Sequence, residues 1–193
     1  MSTSASSIRR CPLLAVLSLL LLAACGSSDQ TAATKADILV STDFDSLAGW
    51  MGTPPNPSLT REKAHSGRYS SKVGGSIEYG LTFANTLGEL HEVRVKRLKI
   101  SAWVFVPSAQ ASALFITHGG DAQPNAKPLI YNILDVVKAV DGNYGQWVPI
   151  SKILELPDAV IYSTNIGFYL WRPSPSPESV YLDDLTVTAV PGT

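Results

Sequence analysis

Hydrophobic and polar positions divide this chain into three stretches of different character. Residues 1–10 are polar and end in Arg9 and Arg10. Residues 13–24 are apolar except for Ser18. From 26 to 36 the chain is small and polar, and from 37 onward short apolar runs alternate with turn signals. These signals include Thr53-Pro54-Pro55-Asn56-Pro57, Ser66-Gly67, Gly74-Gly75, Gly119-Gly120, Asp141-Gly142-Asn143 and Pro173-Ser174-Pro175-Ser176-Pro177. The runs between them are rich in β-branched and aromatic residues, the mark of strands. Strands are expected near 37–40, 69–73, 76–83, 97–106, 112–118, 129–136, 146–152, 164–171 and 179–189. A turn of helix is expected within 87–96. No long segment with helical period follows the apolar N-terminal run. Many short strands with Gly/Pro turns predict an all-β, antiparallel sandwich in a single domain, 37–190.

Period-two alternation sorts the faces of two of these strands. Over 97–106, Leu98, Ile100, Ala102, Val104 and Val106 share one face, and Arg97, Lys99, Ser101, Trp103 and Phe105 the other. Over 164–171, Ile166, Phe168 and Leu170 point one way, and Asn165, Gly167, Tyr169 and Trp171 the other. The aliphatic set is the core face in both. Tyr169 and Trp171 are thereby left on an outer surface.

The first 24 residues read as a secretory signal: basic residues, an apolar stretch, then small residues before a cut. The apolar stretch is about 12 residues where a spanning helix needs roughly 20, which makes it a poor permanent span. Leu22-Ala23-Ala24-Cys25 resembles the bacterial lipobox. That resemblance implies cleavage before Cys25, lipid on its sulfur and anchoring to a membrane through that lipid. Gly26 in place of Asp favours the outer membrane or cell surface over the inner membrane. Residues 25–36 then form a flexible tether.

Charge and cysteine content narrow the function. Removing Arg9 and Arg10 from fifteen basic residues leaves thirteen against sixteen acidic ones, a net charge of −3. The cluster Arg94, Lys96, Arg97 and Lys99 interleaves with Val93, Val95, Leu98 and Ile100 and reads as a solvated strand face, so no nucleic-acid partner is expected. Cys11 leaves with the signal and Cys25 carries lipid, so the folded part has no disulfide. Gly-x-Ser-x-Gly, His-Glu-x-x-His and Cys-x-x-Cys motifs are all missing from the sequence. His65, His91 and His118 are scattered, and His118-Gly119-Gly120-Asp121 reads as a turn. A non-enzyme is expected.

Three segments together resemble carbohydrate-binding modules of the family 4, 9 and 22 type, within the galactose-binding-like jelly-roll group. They are Asp43-Phe44-Asp45 with Trp50; Ala64-His65-Ser66-Gly67-Arg68-Tyr69-Ser70-Ser71-Lys72-Val73; and Val180-Tyr181-Leu182-Asp183-Asp184-Leu185-Thr186-Val187. The resemblance spans about residues 38–190. It implies a jelly-roll β-sandwich whose ligand-facing sheet comprises the strands near 76–83, 112–118, 129–136 and 164–171. It also implies one structural Ca2+ near Asp45, Asp183, Asp184, His65 and Arg68. Calcium takes six to eight oxygens. Because neighbouring strand residues point to opposite faces, at most one of Asp183 and Asp184 is expected to reach such an ion.

Sugars are gripped by flat aromatic faces together with a few convergent polar groups. Trp171, Tyr169, Glu78, His118, Asn132 and Tyr131 are the candidates on the ligand-facing sheet or its rim, with Trp50 at a loop edge. Trp103 and Trp147 fit framework positions. The expected function is that of a lipid-anchored, non-catalytic envelope module binding extracellular carbohydrate. The alternative is a structural or adhesive surface lipoprotein that binds a protein partner and has no sugar site.

Overall fold

A computed structural model of the chain describes residues 37–47, 56–121 and 127–190. The signal, the tether with Cys25, and Trp50 lie outside the described residues. Among the described residues no helix is long and apolar enough to cross a membrane.

The described chain forms ten strands in two antiparallel sheets. The larger sheet runs β2 (Leu59–Thr60), β3 (Ser70–Val73), β10 (Val180–Ala189), β5 (Arg97–Phe105), β8 (Trp147–Glu155), and β1 (Ile38–Thr42) also pairs with β10. The smaller runs β4 (Phe83–Thr86), β9 (Asn165–Trp171), β6 (Leu114–Gly120), β7 (Ile130–Asp135). Between the sheets lies one apolar cluster that includes Leu98, Ile100, Ala102, Val104, Val106, Ile166, Phe168 and Leu170. These are the alternating sets expected from the sequence. Strands with one buried face must obey that alternation, because a one-residue slip would turn every apolar side chain to water.

β10 departs from strict alternation. Val180 and Leu182 face the core, and so do Leu185 and Val187. The register against β5 shifts between Asp183 and Thr186, and Asp184 takes a left-handed backbone (φ 47). This bulge inserts an extra residue, so Asp183 and Asp184 do not simply alternate.

Two expectations are corrected. Residues 76–82 do not form a regular strand, and β4 begins only at Phe83. The chain there crosses close to β9, joined by Gly80 N–H to Leu170 O (2.8 Å) and Arg172 N–H to Glu78 O (2.9 Å). Gly80 permits this approach, since a Cβ there would sit 3.1 Å from Leu170 Cβ. His118-Gly119-Gly120 lies within β6 and is not a turn. A Cβ on Gly119 would meet the Asn165 carbonyl oxygen at 2.5 Å, so glycine serves close strand approach there. The turn of helix expected within 87–96 forms as α1 (Leu87–Leu90), and a second, α2 (Val136–Ala139), follows β7 with Asp135 as its N-cap.

Candidate functional site

The exposed face of the smaller sheet carries a cluster of rings. Tyr169 and Trp171 project from β9, with His118 from β6 and Tyr131 from β7. Tyr79, on the crossing segment, pairs with Trp171 through an isolated bridge. The Tyr79 and Trp171 rings lie 6.5 Å apart and within 12° of parallel. Tyr79 is 6.1 Å from Tyr169, and His118 meets Tyr169 edge-on at 5.5 Å. Tyr79 is 54% exposed and Tyr131 56%. Beneath them Ile116, cross-strand neighbour of Tyr169 and Ile133, is fully buried yet stands outside the core cluster.

Polar groups fix this arrangement. Trp171 Nε1 donates to Glu78 Oε1 at 3.2 Å. The hydrogen bond with Glu78 raises the Tyr79 hydroxyl pKa, and Tyr131 adds to the effect. Burial raises that of Tyr169, helped by Tyr131 and Tyr79. His118 lies over Gly167, where a Cβ would come within 2.3 Å of its Nε2. Of the sequence candidates, Trp171, Tyr169, Glu78, His118 and Tyr131 share this region. Asn132 does not: it alternates with Tyr131, between Ile130 and Leu134, whose side chains pack on the core. Tyr79 was missed. Its neighbour Glu78 gave no reason to choose it, because the expected strand over 76–83 placed the two on opposite faces.

A second aromatic cluster covers the outer face of the larger sheet. His65 stacks on Trp103 at 3.9 Å and 13°, and meets Trp147 edge-on at 5.7 Å. Phe105 packs edge-on against Trp147 and Tyr181. Lys63 Nζ sits over the Phe105 ring at 4.4 Å. Tyr181 donates to Glu62 at 2.9 Å, and Glu62 pairs with Lys72. Burial foremost, then the Glu62 contact, push the Tyr181 hydroxyl up to about 12. Trp103 and Trp147 are thus packed under the 61–68 segment.

Three carboxylates hold that segment. Asp183 Oδ2 accepts from the backbone N–H of His65 (2.7 Å) and Ser66 (3.2 Å). Asp184 meets His65 Nδ1 and the Ser66 hydroxyl, each at 2.5 Å. Asp45 Oδ2 accepts from the N–H of Arg68 (2.8 Å) and Tyr69 (3.3 Å). The β10 bulge lets both Asp183 and Asp184 reach one loop. Burial raises the Asp183 carboxyl pKa against the lowering effect of its N–H donors. The Arg68 N–H leads in lowering that of Asp45. These oxygens face donors, and a cation would have to displace them. Among the described residues no three His, Cys, Asp or Glu side chains gather as a metal cluster. As arranged, these carboxylates serve the 64–69 loop as hydrogen-bond acceptors.

Two antiparallel sheets around one core, one bearing an open aromatic face, make an all-β antiparallel jelly-roll sandwich. Solved structures share that fold. The tandem of two family 22 carbohydrate-binding modules from Paenibacillus barcinonensis matches over 84% of this chain and 52% of its own, at TM-score 0.54 and 16% identity. A C-terminal family 22 module from Clostridium thermocellum matches over 82% of this chain and 96% of its own, at TM-score 0.51 and 13% identity. No protein-family model and no curated protein matches the chain.

Proposed function

We propose that the mature chain is a lipid-anchored, non-catalytic module that binds extracellular carbohydrate on the exposed face of its smaller sheet. The observation that carries this reading is the near-parallel pair Tyr79 and Trp171, with Tyr79 exposed and Glu78 beside both. An aromatic face is electron-rich and attracts the polarised C–H bonds of a pyranose ring. Glu78 and the Tyr79, Tyr131 and Tyr169 hydroxyls supply hydrogen-bonding groups for sugar hydroxyls. The solved modules of similar fold are named for carbohydrate binding, which supports the same ligand class here.

Titration calorimetry against soluble xylan and galactan tests the reading. Wild-type protein is expected to bind at least one, and Trp171→Ala to lose that binding while keeping its fold. Absence of binding to any glycan on a broad array would overturn it. The anchor has its own test. Acyl labelling is expected on wild-type precursor and not on Cys25→Ser.

The acidic residues around the 64–69 loop are proposed to work as a hydrogen-bond clamp without an ion. A melting temperature unchanged by chelator is the expected result. A clear fall would restore calcium.

A further inference from the structure

The strand register places both ends of the described chain at one end of the sandwich. Ile38 pairs with Thr188, Leu98 with Ala189, and Arg97 with Glu155. The starts of β1 and β5 and the ends of β8 and β10 therefore lie together. Two loops project from this end. The first precedes β5 and the second follows β8. They are stitched by Leu156 N–H to Lys96 O (2.8 Å) and Arg94 Nε to Val160 O (3.2 Å). The second is also tied to α1 through Gly88 N–H to Tyr162 O (2.8 Å).

These loops expose large apolar side chains. Val93 is 65% exposed, Ile161 51% and Tyr162 49%, and all three line one small crevice. Single exposed apolar residues are ordinary, but a cluster at one end calls for an occupant. The path of the chain names one. Residue 37 enters the fold here, and only residues 26–36 separate it from Cys25. A flexible tether of that length has a root-mean-square span of about 20 Å. A domain so close to a bilayer meets it at high effective concentration, where weak apolar contact is enough to orient it.

We propose that this end of the sandwich rests on the phospholipid bilayer, with Val93, Ile161 and Tyr162 in its interfacial layer. The inference rests on the lipid-anchor part of the proposed function. The charges nearby say how the contact is made. Arg94 and Lys96 are offset by Glu89, Glu92 and Asp158, with Arg94 3.8 Å from Asp158. Contact is therefore apolar insertion, not adsorption to anionic headgroups, and is insensitive to salt. Trp171 ends β9 at the opposite end, since β9 begins beside α1. The orientation thus holds the Tyr79–Trp171 pair away from the membrane.

The test uses full precursor, processed in a bacterial host and reconstituted into phosphatidylethanolamine–phosphatidylcholine vesicles. Single variants Val93→Cys and Ser174→Cys, one at each end, carry an environment-sensitive fluorophore. A lipidated Cys25 thioether does not react with it. Doxyl-labelled lipid is expected to quench the label at 93 several-fold more than that at 174, at low and high salt alike. Ile161→Asp combined with Tyr162→Ser is expected to remove that difference while the protein still floats with vesicles. Equal quenching at both positions in protein that floats overturns the orientation and leaves the anchor standing. Protein that fails to float removes the anchor, and the orientation with it.

Discussion

The two aromatic clusters sit on opposite outer faces of the same sandwich and are treated in opposite ways. On the larger sheet, Trp103, Phe105, Trp147 and Tyr181 are covered by the 61–68 segment, and their polar neighbours are paired with one another. On the smaller sheet, Tyr79 and Tyr131 are more than half exposed. The difference lies in the covering segment and in the carboxylates that hold it, more than in the rings. Rings on a strand's outer face become framework when a segment is clamped over them and stay open to a ligand when none is. Stability and recognition should therefore separate cleanly between the two clusters.

The largest expected effect is at the clamp. Asp183→Ala strips the acceptor from the His65, Ser66 and Asp184 N–H groups. At roughly 1 kcal/mol for each stranded donor, a loss of about 3 kcal/mol follows, read by denaturant unfolding. Relief of the buried charge trims it.

Next comes a crossed pair. Trp103→Ala should cost about 2 kcal/mol, below the roughly 3–5 of a fully buried ring, and leave glycan affinity unchanged. Tyr79→Ala should shift stability by no more than about 0.5 kcal/mol and weaken glycan binding by about tenfold or more. If Trp103→Ala lost binding with its stability intact, the division of labour between the clusters would fail.

The smallest effect is a pH response. Asp45 and Glu62 are held below their ordinary values, led by the Arg68 N–H for Asp45 and by the Lys72 hydrogen bond for Glu62. A lowered carboxyl contributes stability that is complete above its unfolded value and is lost as pH falls through the folded one. Asp183 is raised, so its contribution has the opposite sign: full below the unfolded value and lost as pH rises through the folded one. Melting temperature should therefore fall on acidification toward about pH 3, and Asp45→Asn should flatten that fall without abolishing it.

Strands with one wet face were legible from sequence. Leu98 to Val106 and Ile166 to Leu170 alternate because burial on one side forces them to. Legibility failed where that condition lapsed. β7 is apolar on both faces, with Ile130 and Leu134 in the core and Ile133 outside, so nothing in the pattern told Asn132 from Tyr131. Residues 76–82 look like a strand but cross the edge of β9 at Gly80, a close approach that depends on a partner remote in sequence. Tyr79 was lost with that segment. The adjacent Asp183 and Asp184 could be read as alternating because a bulge is set by the register of neighbouring strands.

The place of β1 also sets how the module bears load. β1 is joined to the sheet through β10, antiparallel, with Ile38, Val40, Ser41 and Thr42 in register against Thr188, Val187, Thr186 and Leu185. A tether pulling on Ile38 draws β1 along its own axis. If the N-terminus is anchored and a ligand is held near Trp171, as proposed, tension between them would shear those pairs together instead of peeling them one at a time. Under such a load β1 would slide along β10 only when the whole ladder yields.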